Sequence, residues 1–161
     1  MYRLPEVAAA MGLAQLEKID WFVDKRCKMA LMYKEAIDAA NCDWLVPQFV
    51  PNGDKNSYYS YAAKLDRDDI DWVEFRKKHV KNGGDGIFAA WALCYKEDSI
   101  PDVLNRLNKM GLRNRLFTND GLCEKAEMIQ PKLMQFTTNQ KNESEMQKQA
   151  DALYKTILDY Q

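Results

Sequence analysis

From Pro5 to about Ala40 the apolar residues recur at three- and four-residue spacing: Ala8, Met11, Leu16, Ile19, Phe22, Val23, Ala30, Tyr33 and Ile37. That period predicts one long helix, with Pro5 in the first turn, where its missing N–H costs nothing. Gly12 interrupts it at about 1 kcal/mol relative to alanine, which a kink or the close approach of another helix would explain. The turn from Val7 to Ala14 is apolar around its whole circumference. A helix of that kind is buried on all sides, so this turn is expected to contact something beyond its own small domain.

Further along, Trp44-Leu45-Val46-Pro47 reads as a short extended piece and Pro51-Asn52-Gly53-Asp54 as a turn. Ser57 to Leu65 alternates, with Tyr59, Tyr61, Ala63 and Leu65 on one face, and predicts a strand. Asp71 is placed to cap a helix, with Glu74 set for a capping box and Ile70 for a staple onto Phe75. That helix runs to about Lys81 and stops at Gly83. Ile87 to Leu93 reads as a second buried strand. Pro101 to Met110, closed by Gly111, and Cys123 to about Gln130 read as short helices. A last amphipathic helix runs from Asn142 to Tyr160, with Met146, Ala150, Leu153 and Ile157 on one face. The fold class expected is α+β: a long N-terminal helix followed by a small sheet packed with helices. Residues 1–41 form the helical segment and 42–161 the small α/β domain.

Composition narrows the function classes. At 161 residues the chain can bury roughly 70% of its unfolded surface as one domain. The net charge is -1 with basic and acidic residues interspersed, which argues against nucleic-acid or anionic-membrane partners. No apolar run reaches the roughly 20 residues of a membrane span. The first residues show no basic region followed by an apolar stretch and a cleavage site, so a cytoplasmic location is expected. The four cysteines are widely spaced, and with one histidine the usual paired zinc spacing cannot be built.

Several patterns invite a chemical reading and do not support it. The glycines of Asn82-Gly83-Gly84-Asp85-Gly86 follow a helix and precede a strand, the reverse of the order in which a helix N-terminus faces a phosphate. A calcium loop counted from Asp66 would need glycine at its sixth position and glutamate at its twelfth, where Asp71 and Lys77 stand. Acids near a helix N-terminus, favoured by the macrodipole, account for Asp66 to Asp71. His79, beside Lys77 and Lys78, is expected to be a solvated surface residue. No serine or cysteine has a base nearby in sequence.

The segment Tyr2-Arg3-Leu4-Pro5-Glu6-Val7-Ala8-Ala9-Ala10-Met11-Gly12-Leu13-Ala14-Gln15-Leu16 resembles one that lies deep inside the DegT/StrS type of pyridoxal-phosphate (PLP) sugar aminotransferases. The perosamine-synthase branch is the most similar. There an Asn-Tyr-Arg loop follows the cofactor-bearing domain and opens the helix into the C-terminal domain; Met1 stands here in place of the Asn. Asn56-Ser57-Tyr58-Tyr59-Ser60-Tyr61, Gly83-Gly84-Asp85-Gly86 with Trp91, and Ile129 to Phe136 extend the resemblance along the chain.

The resemblance implies the fold of the C-terminal part of a fold-type-I PLP enzyme. It implies amino transfer from glutamate to a nucleotide-linked 4-keto sugar, in dimers with composite active sites. Tyr2 and Arg3 would then belong to the cofactor site, and Asn56, Phe88 and Trp91 to the substrate site. Asp38-Ala39-Ala40 superficially copies the family's Asp-x-Ala motif, whose aspartate meets the PLP ring nitrogen, but Asp38 ends a helix where that aspartate ends a strand. The family's Schiff-base lysine sits in a Ser-x-x-x-x-Lys loop upstream of the Asn-Tyr-Arg segment, and no serine here is followed by lysine five positions later. The chain is therefore expected to hold no PLP covalently and to have no transaminase activity alone. Three readings stand: a C-terminal portion of such an aminotransferase, one subunit of a split enzyme paired with a separate PLP-domain chain, or a non-catalytic interaction module. A homodimer is the other expected assembly.

Overall fold

The long apolar period folds as two helices, α1 (Glu6–Leu16) and α2 (Ile19–Ala39), in a computed structural model that describes residues 4–89, 92–97, 99–111 and 123–161. The break falls at Glu17 and Lys18 rather than at Gly12. The Lys18 N–H turns back to Gln15 O at 3.1 Å and Lys18 leaves helical geometry at φ -113°, ψ 6°. Gly12 sits inside α1, and a Cβ there would meet nothing within 4 Å, so neither a kink nor a close neighbour explains it. No residue of α1 is buried by the rest of the chain.

The C-terminal half of α2 turns Met29, Ala30, Tyr33 and Ile37 into the core. They meet a four-stranded antiparallel sheet of order β1-β2-β4-β3, formed by β1 (Leu45–Pro47), β2 (Tyr61–Leu65), β3 (Phe88–Ala89) and β4 (Leu133–Phe136). Tyr61 pairs with Phe136, Ala63 with Met134 and Leu45 with Leu65, so one sheet face presents an unbroken apolar surface to the helices. Tyr33 lies 5.3 Å from the Tyr61 ring and 5.5 Å from Phe136. Its hydroxyl donates to Thr137 O at 3.0 Å, which satisfies the one polar atom this ring carries into the core. α6 (Glu143–Leu158) packs beside α2 through Met146, Ala150, Leu153 and Ile157, the face its periodicity predicts. The fold is α+β, as expected.

Local signals also place α3 (Trp72–Lys81). The Asp71 carboxylate accepts from Val73 N at 3.1 Å and Glu74 N at 3.3 Å. Glu74 does not complete the capping box; it pairs with Lys77 one turn on, at 2.6 Å. At the other end Gly84 N donates to His79 O and Gly83 N to Val80 O, the paired bonds of a Schellman stop, with Gly83 at φ +94°. Two short helices follow, α4 (Ser99–Lys109) and α5 (Glu124–Ile129).

The strand reading of the sequence changes in these places. β2 begins at Tyr61 rather than Ser57, because Tyr58 adopts a left-handed φ of +46° while its N–H donates to Asn56 Oδ1 at 3.0 Å, closing a turn where a strand would have run. Of the expected strand from Ile87 to Leu93, Phe88–Ala89 is a strand, Ala90 and Trp91 lie outside the described residues, and a 3-10 turn follows at Cys94–Lys96. β4, the inner strand between β2 and β3, lies where no element was expected.

Candidate functional site

Arg26 stands on the α2 stripe that also carries Ile19, Phe22, Val23, Ala30 and Tyr33. A guanidinium on an otherwise apolar face calls for polar partners, because half-burial without them is unfavourable. The left-handed Tyr58 supplies them by turning two successive carbonyls toward α2. Arg26 Nη1 donates to Tyr59 O at 2.8 Å, to Tyr58 O at 3.4 Å and to the Thr138 hydroxyl at 3.0 Å. Thr138, itself buried, donates its hydroxyl proton to Tyr58 O at 2.7 Å. The guanidinium also lies 5.8 Å from the Tyr59 ring centroid. All three oxygens are neutral, and no acid pairs with Arg26 among the described residues.

Two cavities meet at Arg26 and Tyr59. One, of about 550 Å³, is walled by Leu16, Ile19, Phe22 and Val23 of the two helices and by Ser57. The other, of about 370 Å³, lies at the end of the sheet between Ser60, Phe88, Gln135 and the Thr137–Asn139 loop. Gln135 is held in place there: its Oε1 accepts from Ser60 Oγ at 3.1 Å and its Nε2 donates to Ala89 O at 3.3 Å. The loop is fixed from behind by Asp85. Its carboxylate accepts from the Thr137 hydroxyl at 3.1 Å and from Gln140 Nε2 at 3.3 Å, and its N–H donates to Gln149 Oε1 at 2.6 Å.

His79 is not at the surface. It is 1% exposed, with its ring 5.7 Å from Phe136 and its Nδ1 without a partner. Burial holds its pKa down at about 4, against a smaller opposing pull from the Asp85 carboxylate. The expectation failed because His79 follows Phe75 by one helical turn and shares its inward face, whatever Lys77 and Lys78 beside it do.

Of the residues the family resemblance assigned to sites, Phe88 lines the sheet-end cavity. Asn56 lies under the loop instead, where Oδ1 holds Tyr58 N, its carbonyl accepts from Cys27 Sγ at 3.3 Å, and its buried Nδ2 has no partner. Tyr2, Arg3 and Trp91 lie outside the described residues. Arg26, Tyr59, Gln135 and Thr138 were not anticipated. Arg26 had one legible signal, a charge on an apolar stripe. No lysine lines either cavity among the described residues, and no cluster of three metal-ligating side chains occurs among them.

Residues 1–84, a little over half the chain, match the DegT/DnrJ/EryC1/StrS aminotransferase family. The chain belongs to that family. No curated protein sequence matches it. Among solved structures, this family member is similar to Helicobacter pylori PseC, an aminotransferase involved in the biosynthesis of pseudoaminic acid, at TM-score 0.69 and 20% identity, over 98% of this chain and 38% of that one. It is also similar to the aminotransferase TlmJ from Streptoalloteichus hindustanus, at TM-score 0.59 and 18% identity, over 96% of this chain and 37% of that one. The chain thus spans under two fifths of these aminotransferases. No described helix is long and apolar enough to cross a membrane.

Proposed function

We propose that this chain is the C-terminal part of a PLP-dependent aminotransferase that moves an amino group from glutamate to a nucleotide-linked 4-keto sugar in the cytoplasm, and that it needs a separate PLP-bearing domain to do so. The observation that carries the reading is α1. In an aminotransferase-family chain, this helix is apolar on every side and leaves Val7, Met11, Leu13 and Leu16 each at least 60% exposed. A monomeric domain rarely leaves so continuous an apolar surface uncovered, and a covering domain would remove it from water. We take residues 1–41 as the segment that joins the two domains and 42–161 as the small α/β domain, in a homodimer or in complex with a separate PLP-domain chain.

Enzymes of this family are PLP-dependent in general. PLP itself does not fit this chain as a covalently held group, because the residues lining the groove offer no amine to form an imine with it. What the groove supplies is a binding wall: the exposed face of Phe88, the fixed amide of Gln135, hydroxyls at Ser60 and Thr137, and the Arg26 guanidinium. Tyr2 and Arg3 on the cofactor side, and Asn56 and Trp91 on the substrate side, remain part of the proposal. The test is reconstitution. Mixed with a PLP-domain chain of the family, this chain should give glutamate-dependent amination of a nucleotide-linked 4-keto sugar, and alone it should give none. An internal-aldimine absorbance band on the isolated chain that survives dialysis would refute the reading.

A further inference from the structure

The chain carries two Asn-Gly steps, Asn52-Gly53 and Asn82-Gly83, and the fold treats them in opposite ways. In such a step the glycine backbone nitrogen can attack the asparagine Cγ, because no Cβ screens its N–H. A bond forms from the glycine nitrogen to Cγ and closes a succinimide ring. The Cγ–Nδ2 bond breaks, and ammonia leaves with the proton of the glycine N–H. Water then opens the ring at one carbonyl to give aspartate, or at the other to give isoaspartate, in which the backbone runs through the side chain. No oxidant or cofactor is consumed. What the step requires is a glycine N–H free of hydrogen bonds, an asparagine amide free to turn onto it, and open space around both.

Asn52-Gly53 meets all three conditions. The two residues form the centre of the exposed turn between β1 and β2, closed by Asp54 N on Pro51 O at 3.1 Å. Neither the Gly53 N–H nor the Asn52 side chain has a partner among the described residues. A Cβ placed on Gly53 would meet nothing within 4 Å, and its φ of +91° is one that glycine holds without strain. Asn82-Gly83 meets neither of the first two. Asn82 Nδ2 donates to Thr156 Oγ1 at 3.1 Å and to Asp159 Oδ2 at 3.0 Å, so α6 and its C-cap hold the amide that would have to leave. The Gly83 N–H is committed to Val80 O at 3.0 Å by the helix stop.

We infer that Asn52 is a modification site, where spontaneous deamidation and isoaspartate formation are directed by the fold to this asparagine and away from Asn82. The product carries one new carboxylate and, as isoaspartate, one more methylene in the backbone. Pro51 to Lys55 are all exposed, so the domain should accept the change without loss of thermal stability. None of Pro51 to Asp54 lines either cavity, and the inference does not rest on the function proposed above.

The experiment incubates the full chain for days at pH 7.5, folded and in urea, and follows each asparagine by peptide mass spectrometry. Methyl transfer from S-adenosylmethionine by an isoaspartyl carboxyl methyltransferase counts the isoaspartate. In the folded chain Asn52 should be lost about tenfold faster than Asn82 or more, since Asn82 reacts only after its hydrogen bonds have opened. In urea the two should react at similar rates, with Asn82 accelerated and Asn52 little changed. Gly53→Ala screens the attacking nitrogen with a methyl group at an exposed position and should remove most of the Asn52 signal while leaving Asn82 as it was. Loss at Asn52 no faster than at Asn82 in the folded chain overturns the inference. So does a difference that persists undiminished in urea, which would trace the selectivity to local sequence rather than to the fold. Loss at Asn52 that Gly53→Ala does not slow would overturn the cyclisation route.

Discussion

Gly84→Ala is the sharpest test of how the turn below the groove is built. Gly84 does not have a positive φ, so alanine meets no backbone obstacle there. The obstacle is His79: a Cβ at residue 84 would lie 2.1 Å from Nε2, 2.4 Å from Cδ2 and 2.5 Å from Cε1. Favourable contacts between such atoms sit near ~3.5–4 Å, so a gap of more than an ångström must open. The imidazole has nowhere to go, being 1% exposed and set against Phe136, while the Gly84 N–H is tied to His79 O at 2.9 Å. Overpacking of this kind costs about 1–3 kcal/mol. A stiffer unfolded chain returns about 0.4–1 kcal/mol, leaving a net loss of about 1–2 kcal/mol. The double variant with His79→Ala removes the ring the new methyl strikes. The two losses should then fall short of their sum by about 1–2 kcal/mol, the coupling expected of residues in direct contact. Urea unfolding at pH 7.5, where His79 is neutral, measures all four corners of the cycle. A Gly84→Ala variant as stable as the parent, or losses that simply add, would show that the imidazole does not fill the space above the glycine.

Two further predictions follow from burial and exposure. His79 titrates near 4 when folded and near its ordinary value of 6.5 when unfolded, so the unfolded chain binds the extra proton. Stability should therefore fall as pH drops from about 6.5 toward 4, by up to about 3 kcal/mol; a His79→Gln variant with the same pH slope would contradict it. The bare α1 surface should make the purified chain self-associate and bind a hydrophobic dye, and Val7→Glu with Met11→Glu should reduce both. A monodisperse parent chain that takes up no dye would sink that reasoning.

What the sequence disclosed and what it withheld divide along range of interaction. Asp71 as a cap, Gly83 as a stop and the Met146–Ile157 stripe of α6 depend on neighbours within a turn or two, and each was legible. β4 was not. Leu133-Met134-Gln135-Phe136 is four residues long, with Met and Gln weak strand formers, and it is a strand because residues about 70 positions earlier pair with it. The left-handed Tyr58 was equally hidden, since nothing marks a tyrosine for that conformation until Arg26 and Thr138 close on its carbonyl. His79 and Arg26 carried a readable signal that the neighbouring charges masked: one shares the inward face of Phe75, the other the stripe of Val23 and Ala30. These misreadings are not scattered. Arg26 and β4 border the groove, Tyr58 lies between Ser57 and Tyr59 of its wall, and His79 lies beneath it under Phe136. Local rules fail where a fold departs from them to build a site. A loop held in left-handed geometry so that two carbonyls can orient one unneutralised arginine is such a departure.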